Sequence, residues 1–152
     1  MSLQLHHEFS FWVSLKPPID FGAGPQGQRI YVEVIDGEAT GERFNARAIG
    51  GAGDWILVGP DGFGRIDVRL QFETADNARV YVQYFGLLEL NAAAAGALAT
   101  GAGTDYDDQY FRTTPRLETG DPAYAWMNQS VFVAKGRLRD GGGVEYEVYR
   151  VV

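Results

Sequence analysis

The chain has 152 residues, of which 45% are hydrophobic and 22% are charged, a composition typical of one globular domain with its own core. Its formal net charge of −7, without any cluster of Lys and Arg, argues against nucleic acid or an anionic membrane as a partner. The chain contains no cysteine, which excludes disulfides, thiolate nucleophiles and Cys-ligated metals.

The first residues, MSLQLHHEFSFWVSL, have neither a basic segment nor an unbroken apolar segment, so they do not resemble a signal peptide. No run approaches the roughly 18 apolar residues that a membrane helix needs. We therefore expect a cytoplasmic protein that is not inserted in a membrane.

Alternation of apolar and polar residues dominates the chain and predicts β-strands. The segment RIDVRLQFE (65–73) is the clearest case, because every second residue is apolar. The pattern recurs at 5–15, 29–35, 79–90, 124–134 and 144–152, and Gly, Pro and Asp-Gly turn signals lie between these segments. We predict eight to ten antiparallel strands and little helix.

So many strands in one chain must protect their edges, either by closing a barrel or by stacking two sheets. The predicted fold is all-β: a single antiparallel β-barrel domain over residues 1–152, with a β-sandwich as the second choice. The Ala/Gly-rich segment 91–104 favours a short helix or a mobile loop, because its glycines oppose the helical preference of alanine. A lid over a pocket is the alternative.

Motifs for cofactors and metals are weak. GAGPQG (22–27) has the glycine spacing of a nucleotide-binding loop, but it leads into a strand and is interpreted as a turn. His6 and His7 are adjacent on a strand and point to opposite faces, so they do not share a metal. DYDD (105–108) favours solvated loop acids over a hard-cation site. We predict no metal and no cofactor.

The segment QYFRTTPRLETGDPAYAWMNQ (109–129) is the richest in chemistry. If 124–132 is a strand, then Tyr124, Trp126 and Asn128 share one face, and Arg112 and Glu118 lie near it. Arg112 is then a candidate to stabilise a carboxylate or an enolate, Glu118 a general base and Tyr124 an acid. The alternative is a structural salt bridge between Arg112 and Glu118 beside core aromatics.

Acidic residues elsewhere give further candidates. Asp54 follows the glycines of GGAG (50–53) and is interpreted either as a base at the mouth of the barrel or as an acceptor for loop amides. Asp67 and Arg69 lie on one face of a strand, where a structural ion pair is the default interpretation.

Four motifs in order, GGAGDW (50–55), RIDVR (65–69), YFRTTPRLETG (110–120) and YAWMN (124–128), resemble the domain of unknown function 3237 family. The resemblance covers about Phe9 to Val151 and implies an antiparallel β-barrel without a recorded cofactor or a generally assigned activity. The segment 91–103 departs from the family, since similar proteins are more polar there. The family's characteristic positions correspond here to Asp54, Trp55, Arg65, Asp67, Tyr110, Arg112, Glu118, Tyr124, Trp126 and Asn128.

The leading hypothesis is a cofactor-independent isomerase, cyclase or lyase that acts on a small oxygenated aromatic or polyketide-like molecule inside the barrel. Arg112, Glu118, Tyr124 and Asp54 are its candidate catalytic residues. The candidate ligand-binding residues are Trp126, Asn128, Trp55, Tyr110, Arg65 and Asp67. The rival hypothesis is a non-catalytic barrel that binds such a molecule, and a filled structural subunit is a third. A monomer or a homodimer is compatible with the sequence, and we favour the homodimer.

Overall fold

The computed structural model describes residues 2–152, which form nine strands and two short helical segments. The strands are β1 (Leu5–Leu15), β2 (Ile19–Gly24), β3 (Gly27–Gly41), β4 (Ala46–Val58), β5 (Phe63–Thr74), β6 (Arg79–Glu89), β7 (Phe111–Glu118), β8 (Phe132–Leu138) and β9 (Val144–Val151). Helix α1 (Ala92–Thr100) connects β6 to β7, and a 3₁₀ segment (Pro122–Met127) connects β7 to β8.

The sheet closes on itself through its first strand. β1 pairs with β9 on one side and with β3 on the other, and β3 through β9 pair in sequence order. Every pairing is antiparallel, so eight strands form a closed barrel and β2 lies outside it. The predicted barrel of eight to ten strands is therefore confirmed, and the sandwich alternative is wrong.

β2 lies outside the barrel because two prolines interrupt the chain after β1. Lys16 still donates a backbone hydrogen bond to Glu33, but Pro17 and Pro18 have no N–H to continue the ladder. The chain re-enters the sheet at Ile19, which pairs with the first half of β3. This break between β1 and β2 lies at the rim of the barrel.

The opposite end of the barrel is filled with aromatic rings. Phe44 packs against Phe9 at 5.0 Å and against Phe72 at 6.0 Å between ring centroids, and these three side chains are almost fully buried. Edge-to-face packing of this kind is the arrangement that aromatic pairs prefer. These rings fill this end of the barrel, which we call the closed end.

The 3₁₀ segment covers the closed end and replaces a predicted strand. Asp121 caps it by accepting a hydrogen bond from the backbone N–H of Ala123 at 2.9 Å, and Pro122 follows at the start of the helical turn. The strand predicted from Tyr124 onward is wrong, since the next strand begins at Phe132.

Helix α1 covers the other end of the barrel. The Asn91 side chain accepts a hydrogen bond from the N–H of Ala94 at 3.0 Å, and Gly101 ends the helix with a φ of 74°. Ala94 and Ala97 are buried against Leu138. Of the short helix and the mobile loop that the sequence allowed for segment 91–104, the structure has the helix. No helix in residues 2–152 has the length and apolarity required to cross a bilayer.

Candidate active site

A glycine-rich bulge in β4 positions Asp54. Ile49 pairs with Gln71 and Gly53 pairs with Arg69, so four steps along β4 oppose two steps along β5. Gly50 supplies the left-handed backbone that this bulge needs, with a φ of 69°. The Gln71 amide fixes the bulge by donating to the carbonyls of Ile49 and Gly51, each at 2.9 Å.

The bulge adds two residues, and an even number preserves the side-chain alternation of the strand. Asp54 therefore stays on the inner face of the barrel, between Val32 on β3 and Val68 on β5. The glycines that precede Asp54 lie within β4, where they form the bulge, and not before the start of the strand.

Between the aromatic filling and helix α1 lies a cavity of about 450 Å³. This volume is within the range of small-molecule sites in proteins. The wall is mainly aliphatic, and the open end is bordered by helix α1, the Pro17–Pro18 corner and the β8–β9 loop. The lining side chains include Val13, Leu15, Ile30, Val32, Val34, Asp54, Ile56, Val58, Ile66, Val68, Tyr84, Leu88, Leu90, Leu98, Phe111, Val144 and Tyr146.

The carboxyl group of Asp54 has a pKa that is shifted toward neutral pH. Burial, with a smaller contribution from the nearby charge of Asp67, raises the pKa of its carboxyl to about 7. A hydrogen bond from the backbone N–H of Asp67 at 3.0 Å acts in the opposite direction but does not cancel the effect of burial. A carboxyl of this kind exchanges protons readily at neutral pH.

Two tyrosines at the base of the cavity form a hydrogen-bonded pair. The Tyr84 hydroxyl donates to the Tyr146 hydroxyl at 3.1 Å, and both side chains are almost fully buried. Burial raises the pKa of both phenols, and the charge of Asp54 adds to the effect, so both remain neutral donors. Because Tyr84 uses its proton on Tyr146, the Tyr146 hydroxyl can donate to a ligand oxygen.

Within residues 2–152, Asp54 is the one predicted catalytic residue that lines the cavity. Arg112 and Glu118 lie on the outer face of β7, because Phe111, Thr113, Pro115 and Leu117 alternate with them and point inward. Their predicted placement near the interior is wrong. The alternative of a salt bridge between them is also wrong, since none of the ion pairs formed by residues 2–152 joins them.

Tyr124, Trp126 and Asn128 serve the closed end and do not line the cavity. The Tyr124 ring packs on Phe44, and the Arg43 guanidinium lies 3.6 Å from the centre of the Trp126 ring. Asn128 accepts a hydrogen bond from the N–H of Thr119 and donates one to its carbonyl, both at 2.8 Å. All three side chains therefore stabilise the connection between β7 and β8, and their predicted placement in the lumen is wrong.

The remaining predicted ligand-binding residues lie on the outside of the barrel. Trp55 and Tyr110 are exposed, and Arg65 pairs with Asp61 at 2.7 Å. Asp67 is half-buried on the outer face of β5, and its Oδ1 has no hydrogen-bond partner in residues 2–152. Neither Asp67 nor Arg69 takes part in an ion pair within the same residues, so the structural ion pairing predicted for them is wrong.

A second cluster of polar side chains lies on the outer surface of β1 and β9. Glu147 contacts the Nε2 atom of His7 and accepts from the Ser10 hydroxyl, each at 2.5 Å, and Ser10 is 3.3 Å from the same Nε2. In a catalytic triad the serine and the carboxylate use different ring nitrogens. This cluster therefore lacks triad geometry. No group of three or more potential metal ligands occurs within residues 2–152.

The chain matches the model of a protein family of unknown function, DUF3237, over residues 3–151. The chain belongs to this family. A UPF0311 protein from Clostridium acetobutylicum is 31% identical over 126 residues, which are 82% of this chain and 80% of that protein. A crystal structure of a conserved protein of unknown function from Rhodopseudomonas palustris superposes with a TM-score of 0.91 at 28% identity, covering 100% of this chain and 99% of that one.

Two fungal proteins are more distant from this member of the DUF3237 family. The PR-toxin biosynthesis cluster protein 7 of Penicillium roqueforti is 25% identical over 118 residues, which are 75% of this chain and 60% of that protein. A crystal structure of an enzyme from Penicillium herquei has a TM-score of 0.69 and 16% identity, covering 99% of this chain and 94% of that one. The similarity to the Penicillium herquei structure shows a shared fold.

Proposed function

We propose that the protein is a cofactor-independent enzyme that isomerises, cyclises or cleaves a small oxygenated organic molecule held in the barrel cavity. The observation that carries the proposal is a carboxyl, Asp54, in the wall of an otherwise apolar cavity whose base is a pair of neutral tyrosine hydroxyls. The similarity of the chain to a fungal biosynthesis cluster protein, and of its fold to a fungal enzyme, supports this class of function.

In the proposed reaction Asp54 removes a proton from a carbon or a hydroxyl of the substrate. Its pKa of about 7 makes it a usable base and, once protonated, a usable acid at neutral pH. The negative charge that develops on a substrate oxygen is stabilised by the Tyr146 hydroxyl, which is already oriented by Tyr84. Proton transfer of this kind balances without an oxidant or a reductant.

The rival function is a barrel that binds the same molecule without changing it. The predominance of aliphatic side chains in the wall favours this rival, because apolar contacts retain a ligand without acting on it. Asp54 distinguishes the two functions, since a carrier does not need a base.

The test compares the native protein with Asp54→Asn and with Glu118→Gln as an outer-face control. Each protein is incubated with a panel of small phenolic, enone and polyketide-like compounds, and substrate loss and product formation are followed by liquid chromatography with mass spectrometry. We expect native protein and Glu118→Gln to convert at least one compound. Asp54→Asn should slow that conversion by about 100-fold or more, because the base is missing.

Conversion by Asp54→Asn at the native rate would refute the catalytic assignment. Binding of panel compounds to the native protein with no conversion of any of them would favour the carrier. Thermal unfolding of all three proteins checks that each variant is folded.

A further inference from the structure

The cavity is bordered by both signs of charge, but only the negative one belongs to its interior. Within residues 2–152 the charged residues that border it are Asp54 in the wall, and Lys16 and Arg139 at the open end. The Lys16 side chain is 56% exposed and forms an ion pair with Glu33, so its charge is hydrated and already compensated.

The Arg139 guanidinium is directed away from the cavity. Its carbon lies 4.0 Å from the centre of the Trp12 ring. Trp12 alternates along β1 with the buried Phe11 and Val13, so its ring is on the outer face of the barrel. A ligand anion in the interior would therefore find no compensating cation among residues 2–152, and burial of an unpaired charge is costly.

The interior also offers few hydrogen-bonding groups. Within residues 2–152, Asp54, Tyr84 and Tyr146 are the polar side chains that line it, and the backbone groups of the surrounding strands pair with one another in the closed sheet. Tyr84 donates its proton to Tyr146, which leaves the Tyr146 hydroxyl as the free phenolic donor. A ligand that buried several polar atoms here would lose their hydrogen bonds to water without replacement.

We infer that the ligand of the cavity is an uncharged molecule whose buried part is hydrocarbon apart from one hydroxyl or carbonyl oxygen, which accepts a hydrogen bond from Tyr146. This inference rests on the proposed function and narrows its substrate class. An ion has no counterpart in the interior, and one oxygen is enough to use the free phenolic donor. The cavity of about 450 Å³ is large enough for a small two-ring molecule.

The experiment uses three probes that share a naphthalene body and differ in charge. They are 2-naphthalenemethanol, which is neutral, 2-naphthoic acid, which is anionic, and 2-(aminomethyl)naphthalene, which is cationic. Their dissociation constants are measured by titration calorimetry at pH 6. At this pH the Asp54 carboxyl, with a pKa of about 7, is mostly protonated, so neither charged probe meets an opposite charge there.

We expect native protein to bind the alcohol at least about 10-fold more tightly than either charged probe, because the alcohol buries no unpaired charge.

The hydrogen bond to the ligand is tested with the double substitution Tyr84→Phe/Tyr146→Phe. Both hydroxyls are removed together, since Tyr84 would be free to donate once Tyr146 had lost its own. The double variant should bind the alcohol about 10-fold more weakly than native protein. Tyr110→Phe is the control and should bind it with native affinity, because Tyr110 is exposed and does not line the cavity.

Thermal unfolding checks that each variant is folded. If the double variant does not fold, the comparison of the three probes on native protein still decides the inference of an uncharged ligand.

Binding of the acid or the amine by native protein as tightly as the alcohol would overturn the inference of an uncharged ligand. Native affinity for the alcohol in the folded double variant would overturn the assignment of the buried oxygen to Tyr146. Failure of native protein to bind any of the three probes would overturn the inferred ligand class. The proposed function is tested separately, by conversion of the compound panel and its loss in Asp54→Asn.

Discussion

At the residue scale, Asp54 carries a cost in folding free energy that depends on pH. Its carboxyl ionises near its ordinary pKa of 3.8 in the unfolded chain but at about 7 in the folded protein. Between these values the folded state binds more protons than the unfolded state, so stability falls as pH rises from 4 to 7 and the loss is complete above 7. At about 1.4 kcal/mol per pH unit this shift corresponds to slightly more than 4 kcal/mol, and residual solvent access reduces the effect to about 2–4 kcal/mol.

We therefore predict that Asp54→Asn is as stable as native protein near pH 4 and about 2–4 kcal/mol more stable at pH 8. The amide cannot ionise, and its oxygen can still accept the hydrogen bond from the N–H of Asp67. Urea unfolding of both proteins at pH 4, 6 and 8 measures the difference. A difference between the two proteins that stays constant over this range would contradict the raised pKa.

The residues of the site differ in how far the sequence could predict them. Asp54 could be recognised as a candidate site residue because a run of glycines precedes it. Such a run permits a bulge in a strand, and a bulge can direct the next side chain into a site. Tyr84 and Tyr146 were missed, although each alternates with valines on the apolar face of its strand, a signal of a polar group in the barrel interior. The outward position of Arg112 and Glu118 follows from the same alternation, because every second residue of Phe111–Glu118, beginning with Phe111, is buried.

At the element scale, one buried carboxylate connects three parts of the chain. Glu8 on β1 accepts hydrogen bonds from both Arg43 in the β3–β4 connection, at 2.9 and 3.0 Å, and Arg150 on β9, at 2.9 Å. Burial alone would raise the pKa of Glu8, but the hydrogen bonds and charges of the two arginines outweigh it and lower the pKa. This network ties both neighbours of β1 to it near the closed end.

We predict that Glu8→Gln destabilises the protein by about 2–3 kcal/mol at pH 7, because it leaves two guanidinium groups without their anion. This value is below that of a fully buried pair, since both arginines reach solvent. The lowered pKa means that the contribution of Glu8 is present above pH 4.5 and is lost as pH falls below it. Urea unfolding at pH 7 and pH 3 should therefore show a smaller difference at pH 3.

The exposed Glu38 on the outer face of β3 provides a matched control, and Glu38→Gln should change stability by less than about 0.5 kcal/mol. An equal effect of the two substitutions would show that the network does not stabilise the barrel.

Strands and helices could be predicted from the sequence where the local residue pattern is compatible with only one type of secondary structure. The long strands follow from alternation alone, as β5 and β9 show. The 3₁₀ segment resembles a strand in sequence because its aromatic residues alternate by chance, whereas the Asp-Pro pair marks the start of a helical turn. Local capping chemistry decides this element, and it overrides the apparent period.

At the scale of the whole molecule, the choice between barrel and sandwich depends on contacts that alternation does not encode. Both architectures bury one face of every strand. The barrel closes because β1 pairs with β3 at sequence separations from 19 positions, for Leu15 with Val34, to 32 positions, for Phe9 with Gly41. The number of predicted strands already favoured a barrel over a sandwich, and the family resemblance also implied a barrel. The predicted homodimer stays a prediction.

The filled closed end has a kinetic consequence for the proposed enzyme. Because aromatic rings fill the closed end, substrate and product must both pass through the open end of the barrel. Neither can enter the cavity while the other is bound there. Product should therefore act as a purely competitive inhibitor, raising the apparent KM without lowering kcat in initial-rate measurements. Product release through the open end would then limit kcat whenever release is slower than the chemical step.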